Sequence, residues 1–225
     1  MKRLIVALDF QTLDEAVSMA RPLVDEVAGF KVGLELFSGA GPQAITRVAA
    51  LGPPVFADMK LHDIPNTVAG AARAIASAGA RWVTVHASGG REMLEAAVSG
   101  MGDPGVLAVT VLTSMIDPDL EQVGISSGLE TQVVALAALA EGAGVEGLVC
   151  APGEVAAVRS KGIYIPVFTP AIRMTPTNDD QKRTGTPVEA VSAGADYLVV
   201  GRPVTRAPDP VAAAREITES ITQIG

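Results

Sequence analysis

The sequence predicts an α/β fold, specifically a single-domain (β/α)8 barrel over residues 1–225. Eight short apolar runs alternate with stretches of helical periodicity along the chain. The runs are continuously apolar, which is typical of strands buried on both faces of a parallel sheet. Hydrophobic residues make up 48% of the 225, enough for one large core. An open doubly wound sheet is the alternative, although no glycine-rich dinucleotide motif follows the first run.

Glycine, proline or aspartate residues bound each predicted strand. The strands cover residues 4–9, 30–33, 55–60, 82–87, 106–112, 147–151, 167–170 and 197–201. Thr12 begins a capping-box pattern with Glu15, and Thr186 precedes a proline at the first position of a helix. Three helices are expected to stop at glycines: Gly79, Gly144 and Gly194. Residues 171–185, after the seventh strand, form an unusually long connection, which predicts a functional loop.

Composition argues against several classes of partner. The net charge of −8 provides no overall positive field for nucleic acid or an anionic membrane. No apolar run approaches the roughly 20 residues of a membrane span, and the first run is too short for a signal-peptide core. We therefore expect a cytoplasmic protein. The single cysteine, Cys150, cannot form an internal disulfide and is predicted to be an inert core residue.

The third predicted strand carries the strongest chemical pattern. Active sites of (β/α)8 barrels lie at the carboxyl ends of the strands, and here Asp58 and Lys60 point to one face because side chains repeat every two residues. Lys31 of the second strand and Asp63 of the following loop can join them. Carboxylates favour the charged form of a lysine, and such an array suits a reaction that develops negative charge on carbon and then needs a proton. A structural salt-bridge network is the alternative.

The eighth strand ends in Gly201-Arg202, where barrels commonly bind phosphate through backbone N–H groups and a nearby helix start. Arg202 can bind an anion through two N–H groups, and Arg173 and Gln181 of the long loop can close over the same anion. Taken alone, Arg202 could equally be a solvated surface residue.

The two histidines, His62 and His86, are expected to have structural or supporting roles. No histidine or cysteine spacing resembles a zinc site, and the carboxylates are partnered by lysines. The sequence therefore predicts no metal and no cofactor.

Several separate motifs resemble those of the orotidine 5′-monophosphate decarboxylase family, and the resemblance covers essentially the whole chain. They are Ala7-Leu8-Asp9, Phe30-Lys31-Val32-Gly33, Asp58-x-Lys60-x-x-Asp63-Ile64-Pro65-Asn66-Thr67, Leu112-Thr113-Ser114, Thr169-Pro170-Ala171-Ile172-Arg173, Asp180-Gln181 and Val200-Gly201-Arg202-Pro203. Related sugar-phosphate enzymes share the Asp-x-Lys-x-x-Asp element, so the longer string ending in Asn66-Thr67 is the discriminating part. The resemblance implies cofactor-free conversion of orotidine 5′-monophosphate to uridine 5′-monophosphate, the last step of de novo pyrimidine nucleotide synthesis.

The resemblance also implies roles for single residues. Lys60 would stabilise the carbanion at C6 and protonate it, and Asp58 would face the substrate carboxylate. Asp63 and Thr67 would reach into the active site of a partner subunit, which makes a homodimer the expected assembly. The remaining implied contacts are the ribose hydroxyls for Asp9 and Lys31, the pyrimidine edge for Thr113, and the phosphate for Arg173, Gln181, Gly201 and Arg202.

Ala171 departs from the family pattern, which commonly has glycine at this position. If the position needs a positive φ, alanine strains the start of the loop, and we expect adjusted loop geometry with activity retained. Two other functions stay open. One is a magnesium-dependent sugar-phosphate enzyme in which Asp58 and Asp63 help hold the metal. The other is a phosphate-ligand-binding barrel without catalysis.

Overall fold

A computed structural model describes residues 2–102, 105–174 and 182–222 of the chain. Across these residues, eight parallel strands pair in sequence order and close into a barrel, which confirms the predicted (β/α)8 architecture. The strands are β1 Leu4–Ala7, β2 Gly29–Gly33, β3 Val55–Leu61, β4 Trp82–His86, β5 Val106–Val109, β6 Gly147–Val149, β7 Val167–Thr169 and β8 Tyr197–Val200.

Helices surround the barrel and pack their apolar faces on the outward-facing strand residues. They are α1 Leu13–Ala20, α2 Leu34–Ala40, α3 Gln43–Ala49, α4 Pro65–Ser77, α5 Arg91–Met101, α6 Asp117–Gln122, α7 Leu129–Gly142, α8 Val155–Ser160, α9 Pro187–Ser192, α10 Arg202–Thr205 and α11 Pro210–Thr222. In the parts of the chain that the structure describes, no helix has both the length and the apolar character needed to cross a bilayer.

Most predicted helix ends are confirmed. The Thr186 hydroxyl accepts from the Glu189 N–H at 3.2 Å, with proline at the first helical position of α9. Thr12 caps α1 by accepting from the Glu15 N–H, but the Glu15 carboxylate accepts from the Thr12 hydroxyl at 2.6 Å instead of closing the box on the backbone. The three predicted terminal glycines follow α4, α7 and α9 at positive φ, which glycine adopts without steric cost: Gly79, Gly144 and Gly194.

Large side chains fill the lower part of the barrel. Strand register places Ala7 beside Lys31, Lys31 beside Phe56, and Phe56 beside Trp82, so alternate residues of neighbouring strands share the lumen. Phe168 packs edge-on against Trp82 with ring centroids 5.3 Å apart. The barrel interior is therefore a packed core, and space for a ligand remains at the carboxyl ends of the strands.

Several strands end earlier than the apolar runs predicted. β1 ends at Ala7 rather than at residue 9, and β5 ends at Val109 rather than at residue 112. The apolar run continues beyond the ladder because residues such as Val111 stay buried after the backbone has left the sheet. In contrast, β3 extends one residue further than predicted, to Leu61, through a shift in its register with β4.

Candidate active site

The end of β3 is built irregularly around Lys60. Pairing between β3 and β4 shifts register between Ala57 and Leu61, and within this shift Lys60 has a φ of +49°. Such a conformation costs a residue with a side chain about 1–2 kcal/mol, and strain of this kind concentrates at functional sites. The Lys60 N–H donates to Thr84 Oγ1 at 2.8 Å, which helps to hold the unusual backbone.

Four side chains of alternating charge form a continuous array at this end of the barrel. Lys60 Nζ donates to Asp58 Oδ2 at 2.8 Å, and Lys31 Nζ lies 3.5 Å from the same oxygen. Lys31 Nζ also donates to Asp9 Oδ1 at 2.9 Å. The structure therefore brings together three of the residues that the sequence placed in one cluster, Lys31, Asp58 and Lys60, and adds Asp9 from the segment after β1.

Burial and charge act in opposite directions within this array. Burial opposes the charged form of Lys31, but Asp58 and Asp9 outweigh it and raise the lysine pKa. Burial likewise opposes ionisation of Asp58, but Lys31, Lys60 and the Thr84 hydroxyl outweigh it and lower the pKa of that carboxyl. Lys31 and Asp58 are consequently both charged at neutral pH.

Thr84 of β4 is a member of the site that sequence reasoning missed. It is fully buried, and its hydroxyl donates to Asp58 Oδ1 at 3.0 Å while accepting from the Lys60 N–H. Strand register, with Phe56 beside Trp82, places Thr84 across from Asp58 on the lumen side. The available signal was a lone hydroxyl within the apolar run of the fourth strand.

A cavity of about 770 Å³ opens above the charged array, within the range of small-molecule sites. The cavity is lined by the predicted residues Asp9, Lys31, Asp58, Lys60, Thr113, Arg173, Gly201 and Arg202. Gly33 also matters here, since a Cβ at this position would lie 2.7 Å from Lys31 Nζ. The cavity lining thus contains the arginines Arg173 and Arg202 in addition to the charged array, which suits a ligand with an anionic group.

The loop after β7 is closed at its base. Arg173 N–H donates to Gly185 O at 2.9 Å, and Gly185 N–H donates to Ala171 O at 3.3 Å. Ala171 has a φ of +60°, the left-handed conformation that glycine adopts without strain and alanine does not. The predicted phosphate-binding residue Gln181 lies outside the described residues.

Two predicted site residues do not line the cavity of their own chain. Asp63 and Thr67 are both exposed, and Asp63 Oδ1 accepts from the Ile64 N–H at 2.6 Å. The expectation that Asp63 joins the array is therefore not met within one chain, because the backbone leaves β3 at Leu61 and starts α4 at Pro65.

The histidines and the cysteine lie beside the site. The His62 and His86 rings are 5.5 Å apart between centroids. Burial lowers the pKa of His86, and His62 and Lys60 act in the same direction. Burial also raises the pKa of the Cys150 thiol to about 12, so it stays protonated and unreactive at neutral pH.

Comparison with known proteins covers nearly the whole chain. Residues 2–217 match the model of the family described as "Orotidine 5'-phosphate decarboxylase / HUMPS family". A protein of Anaeromyxobacter sp. (strain K) named orotidine 5′-phosphate decarboxylase is 54% identical over 224 residues, covering 98% of each chain. The crystal structure of orotidine 5′-phosphate decarboxylase from Lactobacillus acidophilus is similar, with a TM-score of 0.85 and 36% identity over 98% of this chain and 99% of that one. The corresponding structure from Pyrococcus horikoshii OT3 has a TM-score of 0.80 and 28% identity over 97% and 99% of the two chains.

Proposed function

The chain belongs to the orotidine 5′-phosphate decarboxylase / HUMPS family, and from this premise we propose that its cavity decarboxylates orotidine 5′-monophosphate without a cofactor, with Lys60 as proton donor. The chain is a carbon–carbon lyase of pyrimidine nucleotide synthesis, and its product is uridine 5′-monophosphate. The observation that carries the catalytic assignment is the Lys31–Asp58–Lys60 array at the cavity wall.

The chemistry follows from this array. When the bond between C6 and the carboxylate breaks, carbon dioxide leaves and the electron pair stays on C6. The Lys60 ammonium stabilises that charge and transfers a proton to C6, after which water reprotonates the lysine. Asp58 faces the departing carboxylate and keeps Lys60 oriented through the 2.8 Å hydrogen bond. Lys31 and Asp9 hold the ribose hydroxyls at the other end of the array.

The remaining part of the cavity is assigned to the rest of the nucleotide. Arg173, Gly201 and Arg202 bind the 5′-phosphate, together with Gln181, and Thr113 contacts the pyrimidine edge. Phosphate binding far from C6 can supply free energy for ordering the loop and the charged array. Residues 1–225 act as one catalytic domain in the cytoplasm.

A homodimer completes the site in this proposal. Ile64 is 67% exposed, and Asp63 and Thr67 beside it are exposed on the same β3–α4 segment. In the proposed dimer, Ile64 is covered by the partner subunit and the polar residues beside it lie at the edge of the contact, which fits the apolar centre and polar rim of protein interfaces. In the dimer, Asp63 and Thr67 reach the cavity of the partner subunit.

The proposal is tested by following the loss of orotidine 5′-monophosphate absorbance with excess chelator present. Wild-type turnover is expected to persist, while Lys60→Ala lowers kcat by about a thousandfold or more. Lys161→Ala, at an exposed lysine in the turn after α8, serves as the matched control and should retain full activity. Absence of wild-type turnover would instead favour the magnesium-dependent sugar-phosphate reaction, and nucleotide binding without turnover would favour a binding-only barrel.

A further inference from the structure

Arg183 is a buried cation that the proposed chemistry does not use. Its side chain is 13% exposed and lies in the connection between β7 and α9. One terminal nitrogen, Nη2, donates to Val111 O at 3.1 Å and to Leu112 O at 2.7 Å. The other, Nη1, forms an ion pair with Glu154.

Glu154 is itself held in place. It lies in the turn Pro152–Glu154 after β6, is 5% exposed, and its Oε2 accepts from the Ala151 N–H at 2.9 Å. Arg183 therefore links the β7 loop to the chain segments that follow β5 and β6. Burying two charges costs free energy unless both are paired and hydrogen-bonded. Arg183 and Glu154 are paired with each other, and they lie at the cavity end of the barrel.

These contacts connect two sides of the cavity. On one side, Arg183 belongs to the loop whose base carries Arg173. On the other, Leu112 immediately precedes Thr113, which lines the cavity. A second contact from the same loop, Lys182 Nζ to Asp119 Oδ2 at 3.1 Å, reaches α6 in the connection that follows Thr113. The C-terminal end of the loop, at Lys182 and Arg183, is thus docked on the segment assigned to the pyrimidine.

We propose that Arg183 is a positioning residue. It docks the C-terminal end of the loop after β7 onto the segments after β5 and β6. Through the hydrogen bond from Arg173 to Gly185 it also holds Arg173 at the cavity, so that the contribution of the 5′-phosphate to ligand affinity depends on Arg183. The inference rests on the proposed function for the identity of the ligand. When the two ends of a binding loop are held in place before the ligand arrives, less conformational entropy is lost on binding. Without the anchor, only a fraction of the molecules present the phosphate contacts, and the apparent affinity falls to that fraction of its full value.

The test compares uridine 5′-monophosphate with uridine as competitive inhibitors, because the two differ only in the phosphate. The main variant is the double substitution Arg183→Met with Glu154→Gln, which removes both charges together and leaves neither buried alone. We expect the preference for the nucleotide over the nucleoside to fall by about tenfold or more, with the inhibition constant of uridine within about twofold of wild type. Arg183→Lys is the second variant, used if the double variant fails to fold. It keeps the charge but cannot reach Glu154 and both carbonyls at once, and it should show a smaller loss in the same direction.

Arg159 provides the matched control at the opposite end of the barrel. It is similarly buried, pairs with Asp196 at 2.7 Å, and donates to backbone carbonyls near the start of β7. Arg159→Lys should lower the thermal midpoint and leave the nucleotide preference unchanged. The inference is overturned if the Arg183 variants keep the wild-type preference, or if affinity for nucleotide and nucleoside falls in parallel. Absence of wild-type turnover would refute the proposed decarboxylation. The role of Arg183 would then still be decided by isothermal titration calorimetry with uridine 5′-monophosphate and uridine, which measures the same two affinities without turnover.

Discussion

Replacing Thr84 with valine tests whether the buried hydroxyl on β4 organises the reacting lysine. Valine has nearly the same shape, so Thr84→Val removes the hydroxyl with little change in packed volume. Two hydrogen bonds are lost: the 3.0 Å donation to Asp58 Oδ1 and the 2.8 Å acceptance from the Lys60 N–H. Because Thr84 is fully buried, water cannot readily replace either partner.

The magnitude follows from the nature of the two bonds. A hydrogen bond to a charged group contributes about 1.5–3 kcal/mol and a neutral one about 0.5–1.5 kcal/mol, so we expect about 2–4 kcal/mol of destabilisation. For a chain of this size, that corresponds to a fall in Tm of roughly 4–16 °C. The Lys60 backbone, already at positive φ, also loses a restraint, and we expect kcat to fall by about 10–100-fold through misplacement of the ammonium group.

The assay combines denaturant unfolding with steady-state decarboxylation. Thr110→Val is the control, since Thr110 is also buried and its hydroxyl donates to Val149 O at 3.2 Å, outside the charged array. The control should lose about 1 kcal/mol and retain wild-type kcat. The Thr84 hydroxyl helps to lower the pKa of Asp58. Its contribution to the free energy of unfolding should therefore be present above the unfolded carboxyl pKa of about 3.9 and should decrease as the pH falls below that pKa. Wild-type kcat in a folded Thr84→Val protein would refute the reasoning.

Four further results are expected. Gly33→Ala should raise KM at least severalfold because the added Cβ would lie 2.7 Å from Lys31 Nζ, and unchanged kinetics would show that the lysine is free to move. Ala171→Gly should raise the free energy of unfolding by about 0.5–1 kcal/mol. Glycine relieves the strain of the left-handed conformation, and the greater entropy of glycine in the unfolded chain offsets part of that gain. Any loss of stability contradicts this expectation. The free energy of unfolding should decline as the pH rises past about 10.4, because the raised pKa of Lys31 keeps this lysine protonated in the folded form while the unfolded chain loses the proton. Urea unfolding curves measure this decline, and it should be weaker in Lys31→Met. An equal mixture of inactive Lys60→Ala and Asp63→Asn subunits, unfolded and refolded together, should recover about a quarter of wild-type activity, because half the dimers are mixed and each has one intact shared site. Failure to recover activity would place Asp63 outside the partner's site.

Local patterns in the sequence accounted for the architecture. Each of the eight apolar runs became a strand, and the run of Val, Phe and Ala before Asp58 placed the reactive motif at the carboxyl end of β3. Capping at Thr186 and the terminal glycines marked helix ends because both depend on backbone groups within a few residues. Strand ends were less predictable, since burial continues beyond the last ladder hydrogen bond, as at Val111.

The spacing of residues in β3 also predicted part of the site, although regular strand geometry is not the whole reason why Asp58 and Lys60 meet. Alternation placed Asp58 and Lys60 on one face, and their charged groups do meet at 2.8 Å. The strand is nevertheless irregular there, with a register shift and a positive φ at Lys60 that a period of two does not anticipate. A β-bulge depends on how two neighbouring strands pair, and the sequence of one strand alone does not determine that pairing.

By itself, the sequence determined the barrel, the Asp58–Lys60 motif and the family, because these reside in residues close together along the chain or in short motifs recognisable one by one. Only the tertiary structure revealed that Thr84 binds Asp58 across 26 positions, that Arg183 reaches Leu112 across 71, and that Asp63 lies outside its own cavity. Contacts of that kind arise when barrel closure brings distant strand ends together, and whether a polar side chain finds a partner there depends on the geometry of closure rather than on local periodicity.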